Sequence, residues 1–166
     1  MRFAAHYDFP VPPGQVAELF RDPDFLLAAA KEAGALTSQA EVSAGPTAAF
    51  TVTVRATMPT AGFPPSVQAF LPQGLALRQA MVWEPPAPDG SCQATIAAEV
   101  AGAGVHMSGL ARAVPSNDGH CRLEFSGEVK AQLPLVGRSV EEAAIPALTK
   151  TLDAHHRTAL DWLANS

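Results

Sequence analysis

The chain has 166 residues, of which 48% are hydrophobic and only 16% are charged, so it can bury the core of one domain of ordinary size. Eleven basic and sixteen acidic residues give a formal net charge of -5, which disfavours binding to nucleic acid. The sequence contains no run of about eighteen apolar residues, which a membrane-spanning helix would need, and the N-terminus lacks the apolar stretch of a signal peptide. We therefore expect a cytoplasmic protein with a single domain over residues 1–166.

Glycine and proline divide the sequence into short segments with the period of two that is typical of half-buried strands. Asp22 followed by Pro23 predicts the start of a helix, and Gly34 predicts its end. In chain order we first predict a strand at 2–9, a helix over 14–20, a second helix from 23 to Gly34, and strands that begin at 35 and at 50. A proline-rich stretch follows at 57–74, with a short helix near 66–71. The last four strands are predicted at 74–84, 91–101, 104–114 and 119–133.

The last strand and the helix after it show the clearest patterns. Residues 119–133 carry apolar side chains on one face and polar ones on the other, as in an antiparallel sheet that is packed on one side. Ser139 and Glu142 match a capping box, which predicts a helix that runs from there to about Ala164. Pro146 lies in the first two turns and should kink this helix or delay its regular start. The helix would be about 40 Å long, which fits a sheet wrapped around it.

Several structural motifs together span nearly the whole chain. They are Phe9-Pro10-Val11-Pro12-Pro13-Gly14-Gln15-Val16, Asp22-Pro23-Asp24-Phe25, the proline-rich stretch before Leu75, Trp83-Glu84, and Lys130-Ala131-Gln132-Leu133-Pro134-Leu135-Val136-Gly137 before the last helix. With the order of strand, two short helices, six strands and long helix, they resemble the helix-grip fold of the START-like, or Bet v 1-like, superfamily (SRPBCC). Within it, the sequence is similar to an actinobacterial branch known only as a domain of unknown function.

The resemblance implies an α+β fold in which a curved seven-stranded antiparallel sheet wraps around the long C-terminal helix, with two short helices after the first strand. It also implies an apolar cavity between sheet and helix. Superfamily members bind sterols, phospholipids, quinones, polyketides and plant hormones; some catalyse cyclisation or dehydration, and others assist protein folding. No catalytic motif of the branch carries over to this sequence. Arg138, where a second small residue is expected, and Pro146 depart from the pattern of relatives at the start of the last helix.

The inward-facing strand positions, among them Leu36, contain no charge and many alanines and glycines. Such small side chains permit either a tight core or a void, and we favour a cavity because a strongly curved sheet cannot collapse fully. The polar candidates Tyr7, Gln79 and His155 would orient the few polar atoms of a ligand. The candidate ligand-binding residues are Tyr7, Phe50, Val52, Gln79, Met81, Trp83, Ile96, Met107, Phe125, Leu148, Leu152, His155 and Ala159.

The predicted function is the binding or carrying of a small hydrophobic molecule, such as a lipid, an isoprenoid or a polyketide, and no catalytic residue is assigned. A first alternative is an enzyme of cyclase or dehydratase type, which needs an acid–base pair in the pocket. Only Tyr7 and His155 are candidates for that pair, and the sequence shows no carboxylate partner for either. A second alternative is a protein-interaction module with a closed interior and a large exposed apolar patch.

No cofactor and no metal site is predicted. Cys92 and Cys121 are too few and too far apart for a zinc site, and the adjacent His155 and His156 lack the spacing of two helical metal ligands. We expect His156 to face solvent. The sequence leaves the oligomeric state open.

The segment from Met58 to Pro72 combines apolar side chains with prolines. Its apolar residues are Phe63, Val67, Phe70 and Leu71. Most apolar side chains are simply buried, so these residues could plug one end of the sheet. The alternative is that the segment is a lid through which a hydrophobic ligand passes, because binding sites often lie in loops.

Overall fold

A computed structural model describes residues 1–45 and 47–165, with the side chain of Phe70 outside the description. The strands and helices lie within a few residues of their predicted positions, because alternation and helix-terminal residues agree along most of the chain. The elements are β1 (Arg2–Phe9), α1 (Pro13–Phe20), α2 (Pro23–Glu32), β2 (Thr37–Ala44), β3 (Phe50–Met58), α3 (Pro65–Phe70), β4 (Leu75–Trp83), β5 (Cys92–Val100), β6 (Val105–Pro115), β7 (Cys121–Ala131) and α4 (Gly137–Ala164).

All seven strands form one antiparallel sheet in the order β1-β7-β6-β5-β4-β3-β2. Gly109 and Gly127 face each other across β6 and β7, and a Cβ atom on Gly127 would overlap the carbonyl oxygen of Ser108. Only glycine permits so close an approach of two backbones, and such positions mark bends in a sheet. The predicted helix-grip fold, with its seven-stranded sheet and long C-terminal helix, is confirmed.

The start of α4 differs from the prediction. The helix begins at Gly137, and Val136 at the N-cap position offers no side-chain hydrogen bond, so the predicted capping box of Ser139 and Glu142 is wrong. The earlier start depends on Gly137, where a Cβ atom would lie 2.6 Å from the Ala131 carbonyl oxygen. The helix then continues through Pro146 to Ala164. Within the described part of the chain, no helix is both long and apolar enough to cross a membrane.

One end of the molecule, which we call the closed end, is filled by aromatic side chains of the sheet and of α1, α2 and α4. Trp83 is fully buried and stacks on Phe50 with ring centroids 5.9 Å apart, and Phe20 packs against the same indole at 5.5 Å. The ring of Phe25 packs between Phe20 and Trp162, with ring centroids 5.8 Å and 6.0 Å apart, respectively. Aromatic side chains of this size dominate the burial energy of a core.

β2 begins at Thr37 and therefore excludes Leu36, which we expected on the inward face. Leu36 precedes the strand and is 63% exposed. Its alternation with the following residues is regular, and its amide donates to the Thr57 carbonyl oxygen at 2.7 Å, but Leu36 itself lies outside the strand.

Candidate ligand-binding cavity

The opposite end of the molecule, which we call the open end, contains a cavity of about 200 Å³ between the sheet and the N-terminal half of α4. The open end comprises the end of β3, the start of β4, the β5–β6 turn and the end of β7. The sheet and helix residues that form most of the cavity wall are Leu75, Leu77, Gln79, Ala98, Val100, Val105, Met107, Val129, Ala144, Ala147, Leu148 and Thr151. Met58, Pro59, Ala61 and Phe63 cover it from the segment after β3.

A second cavity of about 130 Å³ adjoins the first and lies closer to the tip of the open end. The two cavities share a wall, formed by Phe63, Leu75, Val100, Val105 and Ala144. Val67 and Leu71 close the second cavity on one side, and Leu133 and Val136 line it on another. An apolar protein cavity of about 150 Å³ can hold benzene. The larger cavity therefore has room for somewhat more than one ring, such as two fused rings or a short chain, and the smaller cavity has about the size of one ring.

The void follows from which side chains meet at the open end. Ala144 and Ala147 present single methyl groups from α4, and Ala98 does the same from β5. The aromatic residues of α1 and α2 pack at the closed end instead. Small side chains on both layers, with no large group between them, leave the space unfilled although protein interiors are normally densely packed.

Among the described sheet residues of the cavity wall, Gln79 supplies the uncharged polar side chain, and it lies at the inner part of the cavity. It lies on β4 between Leu77 and Met81 on the same strand face, and Met81 is already part of the packed core. Gln79 is half-buried and makes no side-chain hydrogen bond to any residue in the described part of the chain. Its amide can both donate and accept, so it is free to bind a hydrogen-bonding atom of a ligand.

Among the described residues that line this cavity, the charged or titratable ones are Glu99, His106 and Lys150 at its rim. The Glu99 carboxylate lies 3.4 Å from the guanidinium of Arg78 and 4.0 Å from Nδ1 of His106. Lys150 on α4 is exposed and forms no ion pair with any described residue. Solvent screens such exposed pairs, so they contribute little to stability.

Tyr7 lies outside the cavity wall, at the contact between β1 and α4. Its hydroxyl donates to Oδ1 of Asp153 at 2.7 Å, so the expectation that Tyr7 has no carboxylate partner is wrong. Burial raises the pKa of Tyr7 well above its ordinary value, and the hydrogen bond and charge of Asp153 raise it further. The hydroxyl is therefore protonated and occupied.

His156 is half-buried, so the expectation that it faces solvent holds only in part. Its Nε2 lies 2.9 Å from the carbonyl oxygen of Asp8, and its ring packs against Tyr7 at 5.0 Å and Phe9 at 5.1 Å. Because α4 lies against the edge strand β1, the helix face that carries His156 is an interface and not a free surface.

His155 lines neither of the two cavities. Burial lowers the pKa of His155 to about 4, so the ring is neutral at pH 7. Its ring makes no hydrogen bond to any residue that the structure describes. A neutral ring outside the cavity wall is not placed to act as an acid or a base on a molecule inside it.

The structure places the sequence candidates in three groups. Gln79, Met107 and Leu148 line the larger cavity, while Tyr7 and His155 lie outside both cavity walls. The remaining candidates are buried in the packed core: Phe50, Val52, Met81, Trp83, Ile96, Phe125, Leu152 and Ala159. A ligand-binding role for any of these residues stays a prediction.

Sequence reasoning did not single out Ala98, Ala144 and Ala147, or the cover residue Phe63, as ligand-binding candidates. The signal that could have found them is the coincidence of alanines on the facing strand and helix near the proline-rich segment. That segment carries Phe63, Val67 and Leu71 over the cavities, and the side chain of Phe70 lies outside the described residues.

The described residues contain no group of three His, Cys, Asp or Glu side chains that could hold a metal ion. Both cysteines are buried free thiols, and burial raises the pKa of Cys121 to about 11. A buried protonated thiol is a poor ligand and a poor nucleophile.

Solved structures with this arrangement of sheet and helix show the same fold. A START superfamily protein from Mycobacterium smegmatis matches with 12% identity and a TM-score of 0.57, over 98% of each chain. The human StarD13 lipid transfer and protein localization domain matches with 12% identity and a TM-score of 0.56, over 96% of this chain and 76% of that one. The Zhui aromatase/cyclase from Streptomyces matches with 14% identity and a TM-score of 0.58, over 97% of this chain and 92% of that one.

These similarities define a START-like helix-grip fold. The family described as "Protein of unknown function (DUF2505)" matches residues 4–163, and the chain belongs to this family. A comparison with curated proteins found no match.

Proposed function

We propose that the protein binds and carries, or senses, a small and mostly apolar molecule in the cavity at the open end. The observation that carries the proposal is the apolar wall with Gln79 at its inner part, whose amide is unpaired among the residues that the structure describes. Burying apolar ligand surface would drive binding, at about 25 cal/mol per Å² before the entropy costs of association. A lipid, an isoprenoid or a polyketide fragment with one hydroxyl or carbonyl group fits this chemistry.

The names of two proteins with this fold support the class of function. One is a lipid transfer domain, and another is an aromatase/cyclase. For this chain the carrier function is favoured over a cyclase or dehydratase, because Tyr7 is bonded to Asp153 and His155 lines neither cavity. The acid–base pair at the rim, His106 with Glu99, is open to solvent and lies outside the apolar interior.

A pair of aromatic probes tests the proposal. We expect 1-naphthol to bind about fivefold more tightly than naphthalene, because only the hydroxyl compound can form a hydrogen bond with Gln79. In Gln79→Leu the two affinities should become equal. Gln39→Leu, which changes an exposed glutamine on β2, is the matched control and should keep the preference. Failure of the wild-type protein to bind either probe would contradict the proposed function.

A further inference from the structure

On the sheet, the two cavities of the open end follow one another along the strands. On β4, Leu75 lines both cavities, whereas Leu77 and Gln79 line the larger one alone. β5 and β6 show the same order. Val100 and Val105, next to the turn between these strands, line both cavities, and the lining positions farther from the turn belong to the larger one alone. The smaller cavity therefore lies at the tip of the open end, and Gln79 lies at the inner end of the larger one.

The helix α4 shows the same order and gives it a length. Val140 lines the smaller cavity alone, Ala144 lines both, and the larger cavity extends along the helix to Thr151. From Val140 to Thr151 the helix rises about 16 Å, at about 1.5 Å per residue. The pair of cavities is therefore elongated along the helix, with the smaller cavity at the start of α4.

The free hydrogen-bonding group of this elongated space lies at one end of it. The described lining of the smaller cavity consists of apolar residues and Gly102. In the larger cavity, the hydroxyl of Thr151 already donates to the Ala147 carbonyl oxygen at 3.0 Å, whereas the amide of Gln79 bonds to no described residue. A space with one free polar group at its inner end and an apolar wall beyond it matches a chain with one polar end.

Phe63 differs from the other residues of the shared wall, which lie on the strands or on α4. It belongs to the segment between β3 and α3, where its amide donates to the Thr60 carbonyl oxygen at 3.1 Å. Its carbonyl oxygen accepts a hydrogen bond from Nε2 of Gln68 at 2.9 Å. Both bonds hold the main chain and leave the ring free to change its rotamer. A turn of this ring would widen the passage between the cavities without a change in the sheet or the helix.

We infer that the two cavities form one binding site for a linear molecule, a chain of about twelve carbons with an uncharged hydroxyl or carbonyl group at one end. This inference rests on the proposed function and narrows its ligand. Gln79 binds the polar group, and the chain passes Phe63 into the smaller cavity. An apolar cavity of about 150 Å³ holds the six carbons of benzene, so by volume the larger cavity holds about eight carbons and both hold about twelve. A charged end group would lose its hydration beside an uncharged amide.

Displacement of 1-naphthol by straight-chain 1-alkanols of increasing length tests this inference on the full chain. Each added methylene should tighten binding about threefold for as long as the protein buries it. A chain confined to the larger cavity would reach its limit near octanol, whereas a chain that enters both cavities would reach it near dodecanol. We therefore expect dodecanol to bind the wild type at least about thirtyfold more tightly than octanol.

Val140→Phe places a ring in the smaller cavity, and the matched control Val82→Phe adds the same ring on the outer face of β4, where Val82 is 47% exposed. Dodecanol and octanol should bind Val140→Phe with about equal affinity, while Val82→Phe should keep the preference of the wild type. Ala103→Leu enters the smaller cavity from the β5–β6 turn and should also reduce the preference, so it serves as the test if Val140→Phe does not fold.

Dodecanoate tests the polar end of the ligand, because its carboxyl group is ionised at neutral pH. It should bind the wild type at least about tenfold more weakly than dodecanol. Three results would overturn the inference: an affinity that stops rising near octanol, an unchanged preference for dodecanol in folded Val140→Phe or Ala103→Leu, or a preference for dodecanoate that Lys150→Met abolishes. Each of these results leaves the binding of 1-naphthol intact, whereas a wild type that binds neither 1-naphthol nor any alkanol would contradict the proposed function itself.

Discussion

The two ends of the molecule share one sheet and one helix, yet one end is filled and the other is hollow. At the closed end, Trp83 is enclosed by Phe20 and Phe50, and its indole Nε1 is buried without a hydrogen-bond partner among the described residues. At the open end, Ala98 and Ala144 face a cavity of about 200 Å³. The difference shows that the void depends on which neighbouring elements supply large side chains, since the same sheet and helix run through both ends.

The helices after β1 are the elements that make this difference. Phe20 at the end of α1 and Phe25 in α2 are both buried against the closed end. The open end is covered instead by the proline-rich segment, from which Phe63 reaches the cavity wall. Packing stability is therefore concentrated at one end of the chain's core, and space for a ligand is left at the other.

The largest expected effect is the truncation of the closed-end core. Trp83→Ala should lower the free energy of unfolding by about 3–5 kcal/mol, because it removes a fully buried aromatic side chain and leaves a cavity. Leu148→Ala, at the wall of the existing cavity, should cost under about 2 kcal/mol. Urea denaturation of both variants checks this contrast, and similar losses at the two positions would break the comparison.

A matched pair of alanine substitutions on α4 gives the next largest effect. Ala159 is 2% exposed within the core, so Ala159→Phe should overpack it and cost about 1–3 kcal/mol or more. Ala144 lines both cavities, so Ala144→Phe should place its ring in empty space and leave the melting temperature nearly unchanged. Thermal unfolding measures both. If Ala144→Phe is the more destabilising variant, the open end is not hollow.

The pH dependence of stability should reveal the lowered pKa of His155. Because burial lowers its pKa from the ordinary 6.5 to about 4, the unfolded chain binds the proton more readily between these values. Stability should therefore fall as the pH falls through this window, and His155→Gln should recover about 1–3 kcal/mol at its acid end. Above pH 6.5 the two proteins should show the same pH dependence. Denaturation curves at several pH values test this, and equal acid sensitivity would show that His155 is not held neutral.

The smallest effect is expected at the contact of β1 with α4, which belongs to neither end. Tyr7→Phe removes the donor to Asp153 and leaves a half-buried carboxylate without that bond. We expect a loss of about 1 kcal/mol, with no change in the affinity for 1-naphthol. A loss of probe binding in this variant would place Tyr7 in the ligand site after all.

Local patterns in the sequence predict the elements of this fold well. Alternation sets each strand, and Asp22 caps α2 by accepting a hydrogen bond from the amide of Asp24 at 2.9 Å. The position of the cavity could not be obtained in this way. Trp83 and Gln79 lie on the same face of β4, and a period of two tells which face is inward but not which end is filled. The bond between Tyr7 and Asp153 joins residues 146 positions apart, beyond the range of local patterns.

The central claim, a ligand cavity at the open end, is tested most directly by a fluorescence titration of 1-naphthol into the wild type, Ala144→Phe and the control Ala97→Phe. Ala97 is exposed on the outer face of β5, so its replacement adds the same ring outside the cavity. We predict saturable binding to the wild type and to Ala97→Phe, and none to a folded Ala144→Phe. Equal binding by all three proteins, or loss of binding in Ala97→Phe alone, would contradict the account.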